Sequence, residues 1–248
     1  MKIKLAIPCF IQQFYPQVVR DVCALLDELE VSYLVPGGQT CCGQPLANGG
    51  FETEAQGAYR HFVNGFGDAD MTLFISGSCT YHVRSHYDTI EQTDAVVHLR
   101  KHIRDVTEFI FTEHSHHLPN VSFPHKVSLH TGCHSLRGLG MGRPSESNPP
   151  GQSFGLPVLN RVRDMEIIPL ERPDECCGFG GTFAVNFPEL SVRMGMDKLA
   201  DAIDKGVEVI LSNDMSCLMH LDGIIAKRGL PLRTMHVLQV FNPSNRVL

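Results

Sequence analysis

Two stretches decide the reading of this chain: Cys41-Cys42-Gly43-Gln44-Pro45-Leu46-Ala47-Asn48-Gly49-Gly50 and Cys176-Cys177-Gly178-Phe179-Gly180-Gly181-Thr182-Phe183-Ala184-Val185. Each is the middle of a longer pattern. In the first half, 31 residues separate Cys9 from Cys41 and 36 separate Cys42 from Cys79; in the second, 42 separate Cys133 from Cys176 and 39 separate Cys177 from Cys217. Eight of the nine cysteines thus form two copies of Cys…Cys-Cys-Gly…Cys. An odd count with two vicinal pairs fits a disulfide framework poorly, whereas neighbouring thiolates readily serve one metal centre.

The same element order surrounds both copies. Residues 3–8 (IKLAIP) read as a short strand ending at Cys9. Pro16 then opens a helix over 16–30 with Val18, Val22, Leu25 and Leu29 as its apolar stripe. Residues 31–35 read as a second strand leading into the first Cys-Cys-Gly. A helix marked by Phe51, Ala55, Ala58 and Phe62 stops near Gly65 and Gly67, and a third strand, 71–76, precedes Cys79. In the second half, strands over 126–131, 165–170 and 207–212 precede Cys133, Cys176 and Cys217. A helix opened by Pro188 carries Val192, Met196, Leu199 and Ile203 as its predicted stripe and is closed by Gly206.

This alternation predicts an α/β protein of two pseudo-equivalent Rossmann-like halves, residues 1–120 and 121–248, with parallel sheets and right-handed crossovers. Every site cysteine follows a strand and precedes a helix, so the four sulfurs of a copy are expected at the carboxyl edge of their sheet, where open α/β sheets bind ligands. Helix N-termini there favour thiolates. The glycines after each Cys-Cys pair (Gly43, Gly49, Gly50 and Gly178, Gly180, Gly181) suit a loop that cradles a cluster, or ordinary turns needing φ > 0. The Pro/Ser/Gly-rich segment 143–157 reads as a surface insertion, a lid or a partner contact.

Composition narrows the class. The chain has 248 residues, enough to bury roughly 70–75% of its unfolded surface without a staple. A hydrophobic content of 43% with 19% charged residues excludes a disordered chain. A net charge of −6 argues against general nucleic-acid binding or an anionic membrane partner. No run approaches a spanning helix. The opening MKIKLAIPCFIQQFYP imitates a signal peptide until Pro8, Gln12 and Gln13 break it, so it reads as a strand, and a cytoplasmic location is expected. There is no dinucleotide fingerprint, Walker loop or nucleophile elbow, so flavin or nicotinamide would have to come from a partner.

Thiolate-rich sites suit zinc or iron–sulfur clusters. Compact zinc knuckles are absent, and widely spaced thiolates at strand ends suit a four-iron cluster. The candidate ligands are Cys9, Cys41, Cys42 and Cys79 for one centre and Cys133, Cys176, Cys177 and Cys217 for the other. The CCGQPLANGG stretch at 41–50, SGSC at 76–79, HTGCH at 130–134, CCGFGGTFAV at 176–185 and SCLMHL at 216–221 resemble the CCG, or cysteine-rich, domain family over essentially the whole chain. Within it the resemblance is greatest to lactate utilization proteins of the LutA/YkgE type. It is more distant to the iron–sulfur subunit of glycolate oxidase and the B subunit of heterodisulfide reductase.

The resemblance implies an iron–sulfur oxidoreductase component. It would oxidise L-lactate to pyruvate together with partner subunits, including a ferredoxin-like iron–sulfur protein. In the heterodisulfide reductase branch each copy ends in Cys-x-x-Cys and five cysteines hold a non-cubane cluster. Here His82 and His220 stand at the missing position if Cys79 and Cys217 match the first of that pair, and Ser76 and Asp214 if they match the second. Ordinary 4Fe-4S cubanes on four thiolates are therefore the expectation, with zinc in one copy as a variant known in the family. The rival reading is a zinc-stabilised scaffold that organises redox partners without carrying electrons.

His82 and His220 are possible additional ligands or proton relays, against the plainer reading of helix-start histidines bonded to backbone. His130 and His134 flank Cys133 and are placed to tune its centre by hydrogen bonding. Arg84 and Arg137 follow Cys79 and Cys133 closely enough to reach a 2-hydroxy-acid carboxylate, although a surface ion pair is the commoner fate. His114, His116 and His117 read as a solvated linker, and Cys23, beside a helix stripe, as a buried free thiol outside the site.

Overall fold

In this computed structural model, which describes residues 1–147 and 153–245, the chain forms two compact units, Met1–Glu113 and His114–Leu248. The first contains β1 (Ile3–Ala6), α1 (Cys9–Phe14), α2 (Pro16–Glu28), β2 (Tyr33–Leu34), α3 (Gln44–Asn48), α4 (Glu52–Phe66), β3 (Met71–Phe74), α5 (Gly77–His86), α6 (Asp94–His102), β4 (Ile103–Asp105) and α7 (Val106–Glu113). The second contains β5 (Lys126–Leu129), a π-helical turn over His134–Gly138, α8 (Leu156–Leu159), β6 (Glu166–Ile167), α9 (Thr182–Asn186), α10 (Pro188–Asp204), β7 (Val209–Ser212), α11 (Met215–Arg228) and β8 (Arg233–His236). No helix of the described residues is long and apolar enough to cross a membrane.

Both sheets are wholly parallel and have the same order, β2-β1-β3-β4 and β6-β5-β7-β8. The expected α/β fold with parallel sheets in two halves is what the structure has. The fourth strand of each sheet is the part that alternation missed. β4 has three residues and β8 four, and their Arg104, Asp105, Arg233 and His236 break any apolar run. Asp105 is fully buried because its Oδ1 accepts the amides of Thr107 (2.8 Å) and Glu108 (3.1 Å), satisfying the start of α7.

The long helices lie where expected, but two buried faces differ from the predicted stripes. On α4 the buried residues are Ala55, Tyr59, Phe62 and Phe66, while Phe51 is exposed. On α10 they are Ser191, Gly195, Lys198, Leu199 and Ala202, rather than the Val192-Met196-Leu199-Ile203 stripe. The two faces correspond at i, i+4, i+7 and i+11. Where α4 fills its space with Tyr59, Phe62 and Phe66, α10 presents Gly195, Lys198 and Ala202. The first unit's core is accordingly aromatic, with Phe62 stacked on Phe66 (4.4 Å between centroids) and Phe74 (5.4 Å), and Tyr59 on Tyr87 (4.3 Å).

β8 ends at His236, which is fully buried. Its Nδ1 accepts the Leu238 amide (3.3 Å), and its own amide donates to Gln239 Oε1 (3.2 Å), a capping box that only the neutral ring can complete. Burial pushes the imidazole down to about 4, partly opposed by the Asp214 charge. Between that value and the unfolded value of about 6.5 the unfolded chain binds the extra proton, so acid favours unfolding. Stability should therefore be full above pH 6.5 and fall by roughly 1 kcal/mol per pH unit as pH drops towards 4. Urea denaturation at pH 7 and pH 5 checks this, and His236→Gln should remove its share of a dependence to which buried His130 adds with the same sign.

Candidate metal centres

An order of β2-β1-β3-β4 places the reversal of winding between β1 and β3, and that crevice at the carboxyl ends is where such sheets bind ligands. Cys9 opens α1 just beyond β1, Cys79 lies in the first turn of α5 beyond β3, and Cys41 and Cys42 follow β2. The second unit repeats this: Cys133 beyond β5, Cys176 and Cys177 beyond β6, Cys217 in the first turn of α11 beyond β7. Ser76 caps α5 by accepting the Cys79 amide (3.4 Å), and Asp214 caps α11 by accepting the Ser216 amide (3.1 Å). The two residues considered as replacements for a missing cysteine are thus equivalent helix caps.

In the first unit neighbouring thiols perturb one another's ionisation in the order Cys9–Cys41–Cys42–Cys79. In the second the order is Cys133–Cys176–Cys177–Cys217. The turns match as well: Gly43 donates its amide to Cys41 Sγ at 3.3 Å, and Gly178 donates to Cys176 Sγ at 3.3 Å. Both glycines have positive φ, +89° and +90°, and a Cβ at either would lie 2.5 Å from a neighbour, Tyr59 Cε1 or Ser191 O. Residue type and packing therefore both require glycine there.

Crowding four thiols makes simultaneous ionisation costly. Cys9 is pushed up by its bond to the Cys41 thiol and by burial, Cys133 by its bond to Cys176, and Cys177 by its bonds to Cys176 and Cys217. Cys176 alone is driven down, because the Cys133 and Cys177 thiols donate to it, with a further contribution from the Gly178 amide. A cation that replaces the shared protons relieves this conflict, which is the usual coupling of thiolate ligation to proton release. In donor type, number and convergence, the residues fit a thiolate-bound metal or iron–sulfur centre.

Behind the first set lies the aromatic core, which also takes in Cys42 and Cys79. Tyr87 fixes the Cys-Cys-Gly turn by donating its hydroxyl to the Cys42 carbonyl (3.0 Å). His82 is buried, meets Tyr59 edge-on (5.3 Å) and stacks on His86 (4.7 Å).

Behind the second set the lining is polar. His130 is only 2% exposed, and one of its ring nitrogens lies with Cys177 Sγ and Cys217 Sγ in a group whose members are all within 4.8 Å of one another. Burial, with the Lys198 charge second, pushes His130 down to about 3. Lys198 is also buried and donates to the Pro173 carbonyl at 3.5 Å; burial lowers its pKa, opposed by Glu175 and the Cys177 and Cys217 thiols. Sequence reading named His130 as a tuning residue and missed Lys198, since a lysine in a helix is ordinarily solvated.

Of the other residues singled out, His220 is half-buried with Nε2 3.2 Å from the Ser191 carbonyl oxygen, close against Gly195. Arg84 donates twice to the Ile103 carbonyl (3.0 and 2.8 Å), and Arg137 pairs with Glu146 (3.0 Å) and Asp174 (3.4 Å). Cys23 is half-buried and bonded to Tyr33. His116 and His117 lie in a short 3-10 turn. The insertion is tied down at both flanks, by Ser145 on Asp174 (2.9 and 3.0 Å) and Ser153 on Thr131 (3.1 Å); its residues 148–152 lie outside the described residues.

Comparison with known proteins finds one family match in each unit. The cysteine-rich domain matches residues 4–84 and again 127–222. Similar proteins include Lactate utilization protein A of Geobacillus kaustophilus, 31% identical over 99% of this chain and 100% of the relative. Lactate utilization protein A of an Exiguobacterium species is 32% identical over 97% and 96%, and Lactate utilization protein A 1 of Bacillus mycoides is 30% identical over 99% and 98%.

Proposed function

The chain belongs to the cysteine-rich (CCG) domain family, and from that premise we propose that it is an iron–sulfur subunit of a lactate-oxidising system, relaying electrons released as L-lactate becomes pyruvate. The observation that supports this most directly is the duplicated thiol set, Cys9–Cys41–Cys42–Cys79 and Cys133–Cys176–Cys177–Cys217, each at the switch point of its sheet. Over almost their full length the similar proteins carry the name Lactate utilization protein A. When bound, an iron–sulfur cluster supplies a one-electron carrier at each set.

The residues around the sulfurs have defined tasks in this reading. Gly43 and Gly178 hold an amide against the first sulfur of each pair and so stabilise its thiolate. The first turns of α5 and α11 present Cys79 and Cys217 with backbone donors nearby. Tyr87 holds the Cys42 carbonyl, and the aromatic core keeps water from the back of the first set. Electrons would pass to partner subunits, a ferredoxin-like protein among them, and the working compartment is the reducing cytoplasm.

Iron, zinc and acid-labile sulfide per chain, on anaerobically purified protein, test the proposal. About eight irons with matching sulfide, and an EPR signal that responds to dithionite, are expected. About one zinc per thiol set with no sulfide would replace the proposal with a zinc-stabilised scaffold that organises redox partners.

A further inference from the structure

The two thiol sets share a frame but differ in one position that the sheet register makes exact. Ala6 pairs with Phe74 in the first sheet, and Leu129 pairs with Leu211 in the second, so His130 stands opposite Ser212 as Ala6 stands opposite Phe74. Each lies three residues before the first cysteine of its set. Ala6 offers no donor there, whereas His130 offers a ring nitrogen.

We infer that His130 is a nitrogen ligand of the metal held in the second set, beside Cys177 and Cys217, and that the first set is sulfur-only. The inference rests on the reading that the thiol sets hold metal, and it extends that reading to a residue outside the doubled cysteine pattern.

Three observations carry it. His130 is almost wholly buried, yet neither ring nitrogen has a hydrogen-bond partner among the described residues, although its backbone amide is satisfied by the Leu211 carbonyl (2.8 Å). A buried imidazole is ordinarily paired, so an unsatisfied one calls for a missing partner. The ring nitrogen and the two sulfurs lie mutually within 4.8 Å. A tetrahedral ion with metal–sulfur bonds near 2.3 Å and metal–nitrogen bonds near 2.0 Å has donor–donor edges of about 3.5–3.8 Å, so small side-chain shifts close the site.

The third observation is the lining behind the second set. On α10 the residues that replace Tyr59 and Phe62 are Gly195 and Lys198. The aromatic filling that backs the first set is therefore absent from the corresponding positions behind the second. A neutral imidazole adds a donor to the second set without adding negative charge.

Cobalt(II) alone, added to metal-free, reduced, full-length protein under anaerobic conditions, is the probe. Two bound equivalents are expected. His130→Ala, which gives the second set the residue of the first, should weaken one equivalent at least ten-fold in chelator competition and leave the other unchanged. His130→Cys should retain both equivalents and raise the near-ultraviolet sulfur-to-cobalt absorbance, which a merely structural histidine would not do.

Wild-type affinity and spectrum for both equivalents in His130→Ala would overturn the inference, as would failure of the wild-type protein to bind cobalt. If His130→Ala does not fold, His130→Cys decides alone: added sulfur-to-cobalt absorbance supports ligation, and an unchanged spectrum refutes it. No sulfide enters this assay, so absence of iron–sulfur clusters in the native protein would defeat the electron-relay proposal while leaving the cobalt result standing.

Discussion

With the proposed iron–sulfur centres in both thiol sets, Cys177→Ser is expected to remove about half of the iron and sulfide, with the EPR signal of one centre, and to leave the other. Cys177 is the middle thiol of the second set, its ionisation tied to Cys176 and to Cys217. It is also buried, so no solvent ligand can replace it cheaply. Serine keeps the shape but not the soft thiolate that iron or zinc prefers in such a site. The first set lies in the unit Met1–Glu113, with its own sheet and core. Cys42→Ser, at the equivalent position, should give the mirror result. Iron and sulfide analysis of both variants beside the wild type is the measurement; equal losses from both centres in either variant would refute independent ligation.

Gly178→Ala should cost about 3 kcal/mol or more and lower the unfolding midpoint by about 10 °C. Two effects add. A non-glycine residue at φ +90° carries a strain of about 1–2 kcal/mol. The new methyl would also lie 2.5 Å from the Ser191 carbonyl oxygen and 2.8 Å from Met194 Cβ, and both belong to α10, which cannot yield without moving its buried face. Gly229→Ala, at the C-cap of α11, separates the terms, because the backbone there is in the left-handed region (φ +61°) and nothing lies within 4 Å of the added atom, so about 1 kcal/mol is expected. Thermal unfolding of the two metal-free variants gives the comparison. Metal binding by Gly178→Ala should fall as well, since the Gly178 amide would leave Cys176 Sγ.

What sequence alone revealed was whatever repeats or alternates. The duplicated cysteine pattern and the strand–helix alternation lead directly to parallel α/β halves with sulfurs at the carboxyl edges. The edge strands β4 and β8 were hidden because three or four residues carrying Arg104, Asp105, Arg233 and His236 have no apolar signature. The buried face of α10 was hidden for a related reason. Hydrophobic periodicity selects Val192 and Met196, whereas the residues turned inward include Gly195 for close approach and Lys198 for its charge and reach. Ser76 and Asp214 were legible as candidates for a missing ligand position, and only three-dimensional placement shows them capping helices. His130 was named from its closeness to Cys133 in the chain, but its approach to Cys177 and Cys217 depends on the pairing of β5 with β7.

Burial is uneven within each thiol set, and the pattern repeats. Cys9 and Cys133 are exposed, while Cys42 and Cys177 are buried. Each pocket is therefore closed at the back and open at the corner held by its first cysteine. Ligand exchange should begin there, with an incoming ion captured first by Cys9 or Cys133 and handed inward as protons leave the deeper sulfurs. The reverse journey starts at the same corner. Oxidants and chelators would meet these two sulfurs first, so two side chains at the rim would govern the lifetime of a bound centre in air.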